Sequence, residues 1–358
     1  MLVRLLRGIW HRRRAAGAQS AQQLCDEGNR LAAAGAHERA AALYERALAA
    51  DPRLAVAHSN RALSLTALGR LGEAWEEAEW RLALQTKTRE FIARVPIARW
   101  RGEPLAGTLL VLWEQGLGDM IQHLRFLGLA AARAGRAAFL SPPKLAGLAR
   151  ASFPQVEVLA VEHAPPDWSR FAAYVPLLSL PLALRLEPKV LPAAPYLCVP
   201  PGVAPRAAPR ARPAVGIVWR SGPDEPGRDC PLPLMLALAA PGLSLVSLQF
   251  EPTARERAQL AAAGVPEGAG DFLETAALAM QLDAVVSVDT SALHLAAALG
   301  RPTKGLLNEP ASVRWMIGRR DSPWYPSLSL YRKRPTEPWE GLIGEVARDL
   351  RAELHAAS

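Results

Sequence analysis

Four stretches of the sequence place acids, arginines, hydroxyls and a histidine where chemistry can be built. The first, LLVLWEQGLGDMIQHLRFL at 109–127, reads as an apolar strand, a glycine turn and a helix that begins at Asp119. Its glycines do not fit the G-x-G-x-x-G of a dinucleotide turn, and no Gly-Lys-Ser/Thr follows as in a phosphate loop. Asp119 is either a helix cap favoured by the macrodipole or a general base facing a substrate hydroxyl. The second stretch, WRSGPDEPGRDCPL at 219–232, carries Arg220, Ser221 and Arg228 in a Gly/Pro loop. Two guanidinium groups suit a diphosphate, gripped by charge-assisted bidentate bonds; a solvated surface loop is the plainer alternative. The third, VDTSALHLAAALGRP at 288–302, ends a strand at Asp289, caps a helix with Thr290 and Ser291, and sets His294 in the first turn. Free amides at a helix start, two hydroxyls and an imidazole form an anion cradle, although a lone helical histidine also serves for packing. In the fourth, DFLETAALAMQLD at 271–283, Glu274 and Thr275 open a helix. They either touch a nucleotide base or ribose, or simply cap.

These residues need elements that bring them to one edge. In open α/β sheets ligands lie beyond the carboxyl ends of the strands, which is where the four stretches fall. LLVLW (109–113), AAFL (137–140) and VEVLA (156–160) read as strands, and QHLRFLGLAAARA as one helix between the first two. A second series starts at AVGIVWR (214–220) and continues through LSLVSLQF (243–250) and DAVVSVD (283–289). Such alternation predicts parallel sheets with helices on both faces, so the fold class is α/β: two doubly wound Rossmann-like domains after an all-α N-terminal part. The Pro/Ala/Arg-rich VPPGVAPRAAPRARP breaks all periodicity and reads as a linker. The expected boundaries are 96–199 for the first α/β domain, 200–213 for the linker, 214–337 for the second domain and 338–358 for a C-terminal helix. No strand follows that helix, which is expected to pack back across the domain boundary.

Residues 21–90 carry a repeat. Leu24, Gly28, Leu31, Gly35, Ala40, Tyr44, Ala47 and Pro52 define a first copy, and Ala62, Leu65, Gly69 and Ala74 recur 34 residues after their counterparts. That spacing resembles the tetratricopeptide repeat (TPR), whose small residues let antiparallel helices approach closely. The second copy decays after Ala74. Residues 1–20 place Leu2, Leu5, Leu6 and Ile9 beside Arg4, Arg7 and Arg12–Arg14, an amphipathic pattern for either a membrane surface or a first packed helix. Arginines break the apolar run, which makes it a poor secretory signal.

Composition narrows the class. No run reaches the roughly 18–20 apolar residues of a membrane span. Cys25, Cys198 and Cys230 are odd in number and far apart, with no metal-ligand spacing, as suits a reducing cytoplasm. The net charge of +8 comes mostly from arginines scattered along helices and linkers, without interleaved aromatics or a nucleic-acid signature. An acidic ligand such as a nucleotide sugar, an anionic membrane surface, or an Ala/Arg-rich codon bias all account for it. No D-x-D pair is present to hold a diphosphate through a metal, so arginine and helix-dipole neutralisation is expected instead, with no cofactor and no metal.

Taken in order, WEQGLGDMIQHLRFL, VGIVWRSGP, RDCPLPL, DAVVSVDTSALHLAAALGRP and RRDSPWYPSLSLYR resemble the bacterial TPR-containing relatives of glycosyltransferase family 9. These are heptosyltransferase-like proteins of the GT-B fold, and the resemblance spans roughly residues 20–350. It implies a metal-independent, inverting transfer of a sugar from a nucleotide sugar to a hydroxyl acceptor. Gly118–Asp119 matches the family's Gly-Asp motif, whose acid is the proposed base. Gln115, Gly116, Gly118 and Gln122 would then line the acceptor side. Arg228, with Arg220 and Ser221 nearby, matches the basic residue on the donor phosphate. Asp289, Thr290, Ser291 and His294 match the D-T-x-x-x-H segment on the diphosphate; some relatives carry Gly at the place of Ser291. Glu274 and Thr275 would complete the donor side. The implied acceptor is a cell-envelope glycan or a protein such as flagellin, engaged by the repeats, at a cytoplasmic or inner-membrane-surface location. The competing classes are an inactive scaffold or adaptor and a nucleotide-sugar epimerase.

Overall fold

The structure, a computed structural model, describes residues 19–161, 166–187, 191–209, 212–222 and 226–356. Residues 1–18 of the expected amphipathic segment, and positions 210 and 211 of the linker, lie outside the described residues. The chain divides into two units: residues up to Ala93 with Ser312–Ile317, and Arg94–Ala311 with Gly318–Ser358.

The first unit is helical. It contains α1 (Ala21–Ala33), α2 (His37–Ala50), α3 (Ala55–Ala67), α4 (Leu71–Ala78), α5 (Arg81–Leu84) and α6 (Thr86–Ile92). Ser20 starts α1 with a capping box: its side chain accepts from Gln23 N while Gln23 reaches back to the Ser20 amide. Leu24, Cys25, Ala40, Leu43, Tyr44, Ala47 and Ala57 form one apolar cluster between α1, α2 and α3. Gly28 sets the spacing of α1 on α2, because a β-carbon there would lie 2.6 Å from the Tyr44 ring. The ring's hydroxyl donates to Asn29 Oδ1 at 2.8 Å, and Asn60 Nδ2 donates to the same oxygen at 2.7 Å, which ties α3 to α1. Ser312–Ile317 closes on α3, where Ile317 N donates to Ala67 O at 2.9 Å.

The second unit is α/β and, among its described residues, holds two five-stranded parallel sheets. The first contains β1 (Ala98–Arg99), β2 (Leu109–Leu112), β3 (Ala137–Ser141), β4 (Glu157–Ala160) and β5 (Ala173–Pro176), in the order β1-β5-β2-β3-β4. Its helices are α7 (Leu117–Leu124), α8 (Leu127–Ala134), α9 (Pro143–Ser152) and α10 (Leu180–Ala183). The second sheet contains β6 (Ala214–Val218), β7 (Ser244–Ser247), β8 (Ala284–Val288), β9 (Thr303–Asn308) and β10 (Leu328–Lys333), in the order β10-β9-β8-β6-β7. With it go α11 (Leu232–Leu236), α12 (Ala254–Ala262), α13 (Phe272–Ala279), α14 (Ser291–Ala298) and α15 (Trp339–Ala356).

Every residue of β2, β3, β5, β6 and β8 is buried. Helices on both faces remove any solvent side, which is why these strands read as apolar runs rather than alternating patterns. In each sheet the order reverses beside the strand that opens the series: between β2 and β5 in the first, and between β6 and β8 in the second. A crevice forms at such a reversal, outside the carboxyl ends of the strands.

Two expectations change. The helix foreseen across QHLRFLGLAAARA is two helices, broken at Arg125–Phe126. The Arg125 side chain takes the Gln122 carbonyl through Nε at 2.8 Å, so the Phe126 amide turns to His123 O at 3.0 Å. The C-terminal helix does not leave the second sheet. Ile343, Val346, Ala347 and Leu350 of α15 form a helical stripe buried in one cluster with Met235, Leu232 and Tyr331. Tyr331 Oη donates to Asp349 at 2.7 Å, and buried Lys304 pairs with Glu353, which fixes the helix from its polar edge. Among the described residues, no helix is long and apolar enough to cross a membrane.

Candidate active site

The site is built at the two strand-order reversals. After β2 the chain runs through Trp113, Glu114, Gln115 and Gly116 into α7. Buried Glu114 accepts from Leu178 N at 2.9 Å, which joins this loop to the segment that follows β5. Gln115 is exposed and adopts φ of 63°, a left-handed conformation unusual for a side chain with a β-carbon. The N-cap of α7 is Gly116, not Asp119. Asp119 sits two residues into the first turn, half-buried, with Oδ2 folded back to within 3.2 Å of where a Gly116 β-carbon would be. The helix N-terminus stabilises its negative charge. Gln122 is buried on α7.

On the second sheet, Gln249 clamps the segment after β6. Its Oε1 accepts from Trp219 N and Arg220 N at 3.2 and 2.9 Å, and its Nε2 donates to Arg220 O at 3.0 Å. The Arg220 guanidinium is engaged by Glu256, with Nε to Oε1 at 3.0 Å and Nη2 to Oε2 at 3.2 Å. Burial acts to raise the Glu256 pKa, but hydrogen bonds from Arg220 and Trp219 outweigh it and hold the carboxyl at about 2. Ser221 bonds Asp229 through both its amide (2.8 Å) and its hydroxyl (2.9 Å). Glu274 and Thr275 cap α13. The Glu274 carboxylate accepts from Asp271 N at 3.2 Å, and Thr275 Oγ1 accepts from Gly270 N at 3.2 Å. Arg220, Glu274 and Thr275 thus have structural partners of their own, whereas Arg228 reaches the strand reversal.

There, Arg228 Nη1 faces Asp289, 3.7 Å from Oδ2 and 3.4 Å from the backbone carbonyl. Asp289 is 5% exposed, and its Oδ2 accepts no hydrogen bond. Asn308, at the end of β9, donates to Gly227 O at 2.6 Å and so lays the Arg228 loop over the strand ends. Thr290 is the N-cap of α14; its hydroxyl accepts from Leu293 N at 3.4 Å and lies 3.1 Å from Ser287 Oγ. The amides of Ser291 and Ala292 remain outside the helix's own bonding, as the first amides of any helix do. Among the described residues, no group of three His, Cys, Asp or Glu side chains is arranged to hold a metal ion.

The two edges meet. A β-carbon on Gly118 would lie 2.9 Å from Cδ2 and 3.4 Å from Nε2 of His294, and 3.8 Å from Ser291 Cα. Glycine is therefore required where the start of α7 packs on the first turn of α14, and Asp119 follows it directly. Behind His294 lies an aromatic box. His294 Nδ1 is 2.8 Å from the Tyr325 hydroxyl. The Arg125 guanidinium stacks over the Tyr196, Trp324 and Tyr325 rings at 4.7, 5.4 and 4.7 Å. It donates to Trp324 O at 2.6 Å, Pro192 O at 3.1 Å and Tyr196 Oη at 3.4 Å. Burial, and for Tyr325 the neighbouring Tyr196 as well, pushes both phenols above the usual tyrosine pKa, with Arg125 opposing. The sequence reading did not single out Arg125, Tyr196 or Tyr325. The aromatic pair between two prolines in PWYP was the available signal, and it says nothing of partners far away in sequence.

Residues 246–332, which carry β8, Asp289 and α14, match the model of glycosyltransferase family 9 (heptosyltransferase). That match covers the second sheet's segment from β7 to β10 and marks what this part of the chain is similar to. Protein FlbA of Caulobacter vibrioides is 31% identical over 338 residues, covering 83% of this chain and 55% of that protein. The chain thus spans about half the length of that curated relative. The E. coli ADP-heptose lps heptosyltransferase II structure aligns with 70% of this chain and 99% of its own, at 18% identity and a TM-score of 0.51. At that identity the likeness is one of fold. The structure of E. coli heptosyltransferase WaaC with ADP aligns with 68% of this chain and 99% of its own, at 16% identity and a TM-score of 0.49.

Proposed function

We propose that the protein is a glycosyltransferase of the GT-B type that moves a sugar from a nucleotide sugar to a hydroxyl acceptor, with inversion and without a metal. The observation that carries this reading is the packing of Gly118 on His294. It sets Asp119 beside the first turn of α14, whose free amides suit a diphosphate. Asp119 accepts the acceptor's proton as its oxygen attacks the anomeric carbon. Arg228 and the α14 N-terminus take up the charge of the departing diphosphate. Asp289, Thr290, Ser291 and His294 hold the donor, and the exposed loop Gln115–Gly116 faces the acceptor. The acceptor is an envelope glycan or a protein, the helical unit being the candidate surface for a polypeptide. The work is placed in the cytoplasm or at the inner membrane surface.

Substituting Asp119→Asn and assaying transfer from a panel of nucleotide sugars tests the base. Transfer should fall by about 100-fold or more while donor binding by calorimetry is nearly kept. Full activity in that variant would remove Asp119 from the reaction. A wild-type protein that binds no nucleotide sugar would instead favour the scaffold reading.

A further inference from the structure

The two helices that carry the candidate site touch at their starts, where Gly118 packs on His294. A contact at one end would leave them free to swing apart at the other, but their far ends are tied as well. Arg125 is the C-cap of α7. Its guanidinium donates to Gln122 O of α7 at 2.8 Å and to Pro192 O, on the segment joining the two sheets, at 3.1 Å. It also donates to Trp324 O, between β9 and β10, at 2.6 Å. Tyr196 makes the second tie. Its hydroxyl donates to Ile121 O of α7 at 2.7 Å and accepts from Arg125 at 3.4 Å. Its amide donates at 3.2 Å to the carbonyl of Ala298, the last residue of α14. Tyr196 thus holds the ends of both helices, and Arg125 holds Tyr196 to elements of both sheets.

We propose that Arg125 is a positioning residue: with Tyr196 it locks α7 to α14, so that Asp119 and the first amides of α14 stand in register before any ligand binds. The lock does not depend on the function proposed above; its consequence for a nucleoside diphosphate does. Arg125 is 4% exposed, with its guanidinium over the Tyr196, Trp324 and Tyr325 rings. Among the described residues no carboxylate pairs with it, so it acts through the directions of its N–H groups rather than by neutralising a charge. A planar fork of fixed donors is what arginine supplies and lysine does not. Without the lock, the aligned site is present in only a fraction of the molecules, and apparent affinity falls by that fraction. Binding must then supply the order that Arg125 otherwise provides.

The test is hydrogen exchange on the full chain, wild type against Arg125→Lys, with and without the tightest of ADP, UDP and GDP. In wild type, residues 117–124 and 291–298 should be protected without nucleotide and gain little when it is added. In Arg125→Lys both segments should exchange about tenfold faster together, affinity should fall about tenfold, and nucleotide should restore the protection. Tyr196→Phe keeps the ring under Arg125 and loses the bond to Ile121 O, so it should loosen the same two segments. Exchange in β3 and the melting temperature show whether each variant is folded; if Arg125→Lys is not, Tyr196→Phe decides. Unchanged exchange in the folded variant, or loosening of α7 alone, overturns the lock. A large gain of protection in wild type on adding nucleotide overturns the preformed register. Unchanged affinity with both helices loosened overturns the role in binding. Failure of wild type to bind any of the three diphosphates would fall on the proposed function, and the nucleotide-free comparison would still decide the lock.

Discussion

Gly118 and His294 share one space: the imidazole edge occupies the place where a side chain on Gly118 would begin, 2.9 Å from the would-be β-carbon. Neither partner can yield easily. His294 is 1% exposed and bonded to Tyr325, and Gly118 lies in the first turn of α7. Gly118→Ala would gain up to about 1 kcal/mol of helix propensity and lose about 1–3 kcal/mol to overpacking. The expected net result is a less stable α/β unit with weakened nucleotide binding, read by urea denaturation and calorimetry. Wild-type stability in this variant would show that the α7–α14 contact is soft.

Gly28 offers the same comparison in the helical unit. Its virtual β-carbon lies 2.6 Å from Tyr44, whose hydroxyl is held by Asn29. In an open helix Gly→Ala stabilises by about 0.5–1 kcal/mol. Here the Tyr44 ring must move, so Gly28→Ala should destabilise by about 1–3 kcal/mol, measured by thermal unfolding.

Glu256 ties pH to stability. Its folded pKa of about 2 lies below the ordinary 4.5, so the folded state favours the ionised carboxylate. Its contribution is complete above about pH 4.5 and is lost as pH falls towards about 2, the two ends of that shift. Glu256→Gln should therefore cost about 2 kcal/mol near pH 7, and the gap to wild type should narrow as pH is taken from about 5 to 3. Urea midpoints across that range supply the measurement, and a pH-independent gap would contradict the assignment.

The C-terminal helix should belong energetically to the second sheet. Leu350 is 1% exposed within the same apolar cluster as Val215 and Ile217 of β6. Leu350→Ala should cost about 2–5 kcal/mol, a large-to-small change in a packed core. Hydrogen exchange should rise at β6 as well as in α15.

Much of the architecture was legible from local pattern. The strands β2, β3, β6 and β8 announced themselves as short apolar runs because both of their faces are covered. β9 and β10 did not, since TKGLLN and LSLYRK carry lysines at positions that the structure buries, Lys304 against Glu353 and Lys333 on the carbonyls of Arg334 and Glu337. Only a partner distant in sequence makes a buried lysine tolerable. β5 was hidden for a different reason, being a four-residue run that ends at a proline.

For the candidate site, the sequence by itself determined which residues follow strand ends: Asp119 after β2, Arg228 after β6, and Asp289 to His294 after β8. That knowledge is local, because a strand, a turn and a helix start are each specified within about ten residues. Tertiary structure decided how those residues are used. It gave Arg220 to Glu256, turned Glu274 and Thr275 into caps, moved the N-cap of α7 to Gly116, and set Gly118 against His294. It also assembled Arg125, Tyr196 and Tyr325 from three distant segments. The reason is physical: hydrogen-bond direction and close packing depend on which surfaces meet when the sheets bury their helices, and no short window of sequence contains both partners.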